Sequence, residues 1–284
     1  VRGLIFYKAG VAKMNRLLET SLRLPYRFVK KVLLRYGYRL TIARDFRPTP
    51  RSGLNLNIGS SGYLIDGFKN LDFYSNHYYP SRKFFDKTCI SYDLRKDSIP
   101  FDTGSVRNIY ISHVIEHVET VYVERFIREA YRVLEEDGVL RVVCPDSEFL
   151  YQVSLFPNDY YAWHHDYKSG ATQFDMLIDE LAFPRLSLPN YGLGDSYALL
   201  GYRDFVDTLR LGLEFDQKSP GRHINNWDFD RLKKLGNAAG FRVVLKSKPG
   251  GSISADMQGS DFDLPHRAMS LYVDMLKGRG VDEV

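Results

Sequence analysis

The run Ser112-His113-Val114-Ile115-Glu116-His117-Val118 places two imidazoles and a carboxylate within five positions. Side chains of these types can hold a divalent cation, take a proton from an acceptor, or pair with one another. His-x-x-Glu-His is also the spacing of the inverted zincin motif, in which one helical face presents two imidazoles to zinc. That chemistry requires the motif inside a long helix and a third ligand on another helix. Here the motif follows the strand-like run VRNIYIS (106–112), and a separate helical pattern begins at Glu119, so zinc hydrolysis is disfavoured. Further candidates for acceptor chemistry are Asp146, directly after an apolar run, His164 and His165 in YYAWHHDY, and His223 in GRHINNW.

The elements that must position these groups are short apolar runs, each ending in a small or acidic residue. LNLNI (54–58) reads as a buried strand that runs into Gly59-Ser60-Ser61-Gly62. FKNLDF (68–73) reads as a second strand ending at Asp72, TCISYDL (88–94) as a third ending at Asp93, and VRNIYIS as a fourth. From Glu119 the apolar residues Val123, Phe126, Ile127, Ala130, Val133 and Leu134 follow helical spacing, with Gly138 as the expected stop. VLRVVCP (139–145) is a fifth strand. WDFDRLKKLGNAAGF (227–241) is an amphipathic helix capped by Gly240, followed by the strand RVVLKS and a last strand in MSLYVDM (269–275). Strands of this kind interleaved with helices predict an α/β fold, a Rossmann-like, doubly wound, mostly parallel sheet that binds ligands at its carboxyl edge.

Composition narrows the class. Of 284 residues, 44% are hydrophobic and 26% charged, which supports a packed core and argues against global disorder. Cys89 and Cys144 lie in strand-like runs without CxxC partners, as buried thiols of a reducing compartment do. No apolar run is long enough to span a membrane, no signal peptide is evident, and the chain begins with Val, as a fragment of a longer product does. Charge is uneven. Residues 1–45 carry eleven Lys/Arg against two Asp/Glu, a balance of +9, whereas the rest carries 28 against 33. Residues 1–52 therefore read as a basic amphipathic helical extension and linker, broken at Pro25 and closed by DFRPTPRSG. Such a face is either solvated or drawn to an anionic membrane or acidic partner, and no recognition-helix or RNP pattern supports nucleic acid. The main domain would span 53–284, with the aromatic stretch 146–226 as an acceptor-binding insertion or as ordinary core.

The segments LNIGSSG, GFKNLDF, DLRKDSIPFDTGSVRNIYISHVIEHV and FIREAYRVLEEDGVLRVVCPD, in that order, resemble class I S-adenosylmethionine-dependent methyltransferases over about residues 54–146. The subgroup most similar is the one whose first motif reads Leu-Asn-Leu-Gly-Cys-Gly. The tail HINNWDFDRLKKLGNAAGF is similar, more loosely, to members found near bacterial surface-polysaccharide genes. The resemblance implies S-adenosylmethionine as cofactor. It sets Gly59, Ser60 and Ser61 beside the methionine part, Asp72 at the ribose hydroxyls, Asp93 and Leu94 at adenine, and Ser112 and His113 at the sulfonium side. Asn57 stands where the family's first motif is usually acidic, and Ser61 where its second glycine falls. Gly59 and Asp72 are separated by 13 positions against roughly 20 in a standard Rossmann unit, so the first crossover helix must be very short or a loop.

Methyl transfer is an in-line displacement that requires alignment of the acceptor and often removal of its proton. His117 or His113 could be the base with Glu116 orienting it, and Asp146 ranks beside His117. Glu116 and His117 could instead hold a divalent ion, as a similar pair does in some ubiquinone-pathway O-methyltransferases, or serve structure alone. The leading expectation is O-methylation of a sugar hydroxyl on a glycan or nucleotide-sugar. The enzyme would be cytoplasmic, with the basic segment holding it at the inner membrane face or beside a glycosyltransferase. The alternatives are a metal-dependent methyltransferase of small phenols or quinones and a catalytically silent scaffold.

Overall fold

A computed structural model describes residues 3–8 and 38–43 as backbone, and residues 53–61, 63–74, 88–156, 172–182, 197–211, 213–259, 261–263 and 267–278. The strands β1 (Gly3–Lys8) and β2 (Tyr38–Ala43) pair antiparallel, Gly3 opposite Ala43 and Lys8 opposite Tyr38. The two ends of the expected helical extension are thus strand, consistent with the β-branched and aromatic residues in both runs. The stretch between them, and with it the expected break at Pro25, lies outside the described residues.

The main sheet has seven strands: β3 (Asn55–Ile58), β4 (Lys69–Asp72), β5 (Ile90–Ser91), β6 (Val106–Ser112), β7 (Leu134–Pro145), β8 (Val243–Lys246) and β9 (Ser270–Leu276). Their order is β5-β4-β3-β6-β7-β9-β8, with β3 to β7 parallel and β9 antiparallel to both neighbours. The order reverses between β3 and β6, and there the carboxyl ends of two central strands open a crevice.

Among the described residues five α-helices accompany the sheet: α1 (Thr120–Val133), α2 (Ser147–Ser154), α3 (Gln173–Leu181), α4 (Gly201–Arg210) and α5 (Phe229–Ala239). The apolar stripe of α1 (Val123, Phe126, Ile127, Ala130 and Val133) is buried against one face of the sheet, as its spacing predicts. Asp228 caps the start of α5, and Gly240 ends it at φ 101°. Gly138, however, does not stop α1. The helix ends at Val133 because Leu134 turns extended and buries itself opposite Val106, opening β7 four residues earlier. Gly138 is needed for close approach instead, since a Cβ there would lie 2.8 Å from the Glu135 carbonyl oxygen.

The stretch after Pro145, for which no helix was expected, contains α2, α3 and α4, which form a second core around Leu150, Tyr151, Leu177, Phe205 and Leu209. Thr172 and Asp175 form a reciprocal capping box at α3. Four of the described aromatic residues here, Tyr151, Tyr197, Tyr202 and Phe205, pack on one another as ordinary core, whereas Phe149 and Phe156 are exposed. Cys144 is buried and Cys89 only partly so, and the two form no disulfide with each other.

Alternation along the strands sends Tyr110, Arg141, Tyr272 and Asp274 to the sheet face opposite α1, where Phe68, Met257 and Phe262 cover them. The register sets Arg141 directly across from Asp274. The fully buried Arg141 guanidinium donates to Asp274 (2.9 Å), Asp263 (2.6 Å), the Ser247 hydroxyl and the Lys248 carbonyl. Removing one partner of a buried ion pair leaves an uncompensated charge. Asp274→Asn is therefore expected to lower unfolding free energy by roughly 3–5 kcal/mol, read as a shifted denaturant midpoint in urea.

Candidate active site

The loop after β3 is built by three devices. Asn57, buried in β3, donates its amide to the Tyr63 carbonyl and to Asn70 Oδ1 on β4, both at 2.8 Å, and so pins the loop to the sheet. Gly59 adopts φ 71°, and an added Cβ would come within 2.1 Å of Val114 Cγ2. The chain can pass from β3 under the turn that follows β6 only where no side chain intervenes. Ser61 is also left-handed, at φ 41°, and its amide donates to Asp72 Oδ2 at 2.7 Å. Among the described residues between β3 and β4 there is no helix, so the short crossover is a loop.

Asp72 ends β4, nearly buried. Oδ2 also lies 3.4 Å from Ser60 Oγ, and Oδ1 accepts from the Phe73 amide at 2.8 Å. A carboxylate offers about four acceptor positions, so one at this strand end can serve several donors at once. Asp93 is more heavily engaged. It accepts from the Arg95 amide and from both Arg95 Nε and Nη2, with Lys96 Nζ at 3.7 Å. The Arg95 guanidinium in turn lies over the Phe215 ring, 3.4 Å from its centroid. Sequence reasoning missed Arg95, because its aromatic partner is 120 positions away. Leu94 is buried, and its carbonyl accepts from Arg125.

Ser112 ends β6, and His113 follows it at φ 54°. One turn of 3-10 helix, Ile115–His117, then presents Glu116 inward. His113 Nδ1 lies 3.0 Å from Glu116 Oε1, and Nε2 lies 2.9 Å from Ser270 Oγ. His117 Nδ1 donates to the Arg222 carbonyl, which fixes the lone pair on Nε2, 4.0 Å from Glu116 Oε1. The chain from Arg222 to Asp228 is drawn under this turn: the Glu116 carbonyl accepts from the Ile224 and Asn225 amides, and Trp227 Nε1 donates to the Ile115 carbonyl. That return sets His223 against His117, ring centroids 4.8 Å apart, with His223 Nδ1 donating to the Glu180 carbonyl.

Burial pushes the Glu116 carboxyl upward, but the hydrogen bond from His113 and the adjoining imidazoles outweigh it and hold the pKa at about 2. Burial presses His223 the other way, down to about 4, and His117 beside it adds to the effect. At neutral pH the cluster is therefore an ionised carboxylate beside a neutral His223. Asp146, by contrast, has structural tasks. It caps α2 through the Phe149 amide and pairs with Lys246 at 2.8 Å. His164 and His165 lie outside the described residues.

Residues 57–142 match the family model described as a methyltransferase domain. No curated protein matches the sequence. Among solved structures, a SAM-dependent methyltransferase from Archaeoglobus fulgidus shares 13% identity over 90% of this chain and 96% of its own, with a TM-score of 0.44. One from Thermotoga maritima, described as a possible histamine N-methyltransferase, shares 14% over 80% and 84%, with a TM-score of 0.41. A putative methyltransferase solved with the Haloferax volcanii Trm112 activator shares 12% over 82% and 85%, at 0.40. Likeness this distant says nothing of acceptor or partner.

The family match coincides with β3 to β7, the five parallel strands that contain the switch point and the loop beneath it. These strands form a class I methyltransferase fold, and S-adenosylmethionine is the cofactor that goes with it. Residues 57–142 thus carry the matched part of an S-adenosylmethionine-dependent methyltransferase domain. Its residues suit that group: a close-approach glycine turn after the first strand of the match and an acidic residue at the end of the next.

Two outcomes follow. Gly59→Ala must resolve both a steric overlap and a left-handed backbone, so stability should fall by at least about 2 kcal/mol and cofactor affinity with it. Adding Val114→Ala relieves only the overlap and should restore part of the loss, as calorimetry would show. For His223, the folded pKa lies below the unfolded value, so the unfolded chain binds the extra proton first. Its contribution is fully present above about pH 6.5 and is lost as pH falls toward 4. In metal-free buffer the loss should be on the order of 2 kcal/mol, since the ring is only partly buried and solvent screens part of the penalty, and His223→Gln should flatten it.

Proposed function

We propose that the protein transfers the methyl group to a hydroxyl oxygen of a saccharide, a glycan or a nucleotide-sugar, with His113 as general base. The observation that carries this reading is the chain Glu116–His113–Ser270 at the carboxyl end of β6. Ionised Glu116 accepts from His113 Nδ1–H, so Nε2 keeps its lone pair and can accept a proton. Ser270 Oγ, 2.9 Å from Nε2, marks a position from which a hydroxyl can donate to it. S-adenosylmethionine supplies an electrophilic methyl carbon whose bond to sulfur breaks, the pair remaining on sulfur, as the acceptor oxygen bonds the carbon. The acceptor proton goes to His113 Nε2, and Glu116 neutralises the imidazolium so formed.

The acceptor class follows from the same arrangement. An aliphatic hydroxyl is far from ionised at neutral pH and gains more from a fixed base than a phenol does, which supports a sugar. The balance of +9 in residues 1–45 supports attraction to an anionic membrane face or to a partner glycosyltransferase. No helix among the described residues is long and apolar enough to cross a membrane.

Transfer of a tritiated methyl group to a panel of nucleotide-sugars, oligosaccharides and catechols tests the reading. Label in an alkali-stable sugar ether is the expected result, with kcat falling about 10²- to 10⁴-fold in His113→Gln while cofactor affinity is retained. Label confined to catechols would overturn the sugar acceptor, and cofactor binding without transfer to any acceptor would favour a silent scaffold. Asp72→Ala should abolish cofactor binding in the same calorimetric assay.

A further inference from the structure

The ligand atoms of Glu116, His117 and His223 lie within 4.8 Å of one another, and we infer that they form a binding site for one divalent transition-metal cation. The three residues come from two places in the chain more than a hundred positions apart. The hydrogen bonds of Ile224, Asn225 and Trp227 to the 115–117 turn bring them together.

The orientation of the donors supports a site over incidental packing. His117 and His223 each use Nδ1–H on a main-chain carbonyl, of Arg222 and Glu180, and each therefore carries its lone pair on Nε2. An imidazole whose second nitrogen is fixed in this way is the usual form of a metal-bound histidine. Glu116 is 1% exposed; Oε1 accepts from His113, whereas Oε2 has no hydrogen-bond partner among the described residues. A buried carboxylate oxygen without a partner is costly and calls for an explanation, which a cation beside it supplies. Direct pairing does not serve instead, since His117 Nε2 is 4.0 Å from Glu116 Oε1, beyond hydrogen-bond reach.

Two imidazole nitrogens and one carboxylate oxygen favour Mn²⁺, Fe²⁺, Co²⁺ or Zn²⁺ over Mg²⁺ or Ca²⁺, which prefer all-oxygen sites. Three protein donors leave coordination positions open. A hydroxyl of the acceptor bound in one of them loses its proton more readily to the neighbouring His113. That role, though not the site itself, rests on the hydroxyl-acceptor reading above.

The full chain, stripped with chelator, is titrated with Co²⁺ and followed by visible absorbance and calorimetry. One ion per chain is expected, displaced by Zn²⁺, with affinity reduced at least about 10- to 100-fold in His117→Gln and in His223→Gln. A second readout needs no variant: Zn²⁺ should move the Nε2 signals of two imidazoles in ¹⁵N spectra of the wild-type chain. Absence of a Co²⁺ band up to millimolar ion would overturn the site, as would a band that survives both substitutions in folded protein. Binding read in this way is independent of methyl transfer, so failure to find an acceptor counts against the hydroxyl reading and not against the metal site.

Discussion

The side chain and peptide of Glu116 hold the candidate catalytic region in one piece. A carboxylate removed from water is tolerable only where charge and hydrogen bonds replace the solvent. His113 meets part of that demand on one side, and the imidazoles of His117 and His223 sit on the other. The main-chain carbonyl of the same residue accepts two amides from the segment that returns before α5. The turn after β6, the end of β9 through Ser270, and the approach to α5 thus converge on one residue. A change at Glu116 would alter chemistry and architecture together, which is why substitutions at its neighbours are the more informative.

The loop below β3 obeys a different constraint, set by space and not by charge. Gly59 passes so close to Val114 that the two halves of the switch point fix each other's position. Asn57 and Asp72 finish the loop from either side, one as donor and one as acceptor. The family's usual acidic residue at position 57 would be unable to donate to the Tyr63 carbonyl, so the exchange of acid for amide is matched by the short crossover that the amide ties down.

Much of the sheet was legible because its signals are local. Strands β3, β4 and β6 are brief apolar runs ended by glycine, aspartate or serine, and α1 shows its buried stripe at helical spacing. That the first crossover had to be a very short helix or a loop was readable from the distance between Gly59 and Asp72 alone. Features that depend on distant partners were not. His223 was picked out as a reactive type, yet nothing local connects it to His117, 106 positions earlier. The stacking of Arg95 on Phe215 is hidden in the same way. Asp146 looked catalytic because it follows a strand, but the position after a strand is also the N-cap of α2, and Lys246 takes its other oxygen. The helices after Pro145 escaped because each is ten residues or shorter, while aromatic and glycine-rich stretches between them mask the period.

The buried Arg141 has a consequence for how the molecule comes into being. Its strand β7 is complete by residue 145, but its two counter-charges lie at Asp263 and Asp274. On a ribosome the guanidinium must therefore wait, still hydrated, through more than a hundred further residues before it can be enclosed. The strand that encloses it, β9, slots between β7 and the already synthesised β8, so the sheet closes from its interior and not from its edge. The match to the methyltransferase domain ends at residue 142, yet the charges that enclose Arg141 all lie beyond that point.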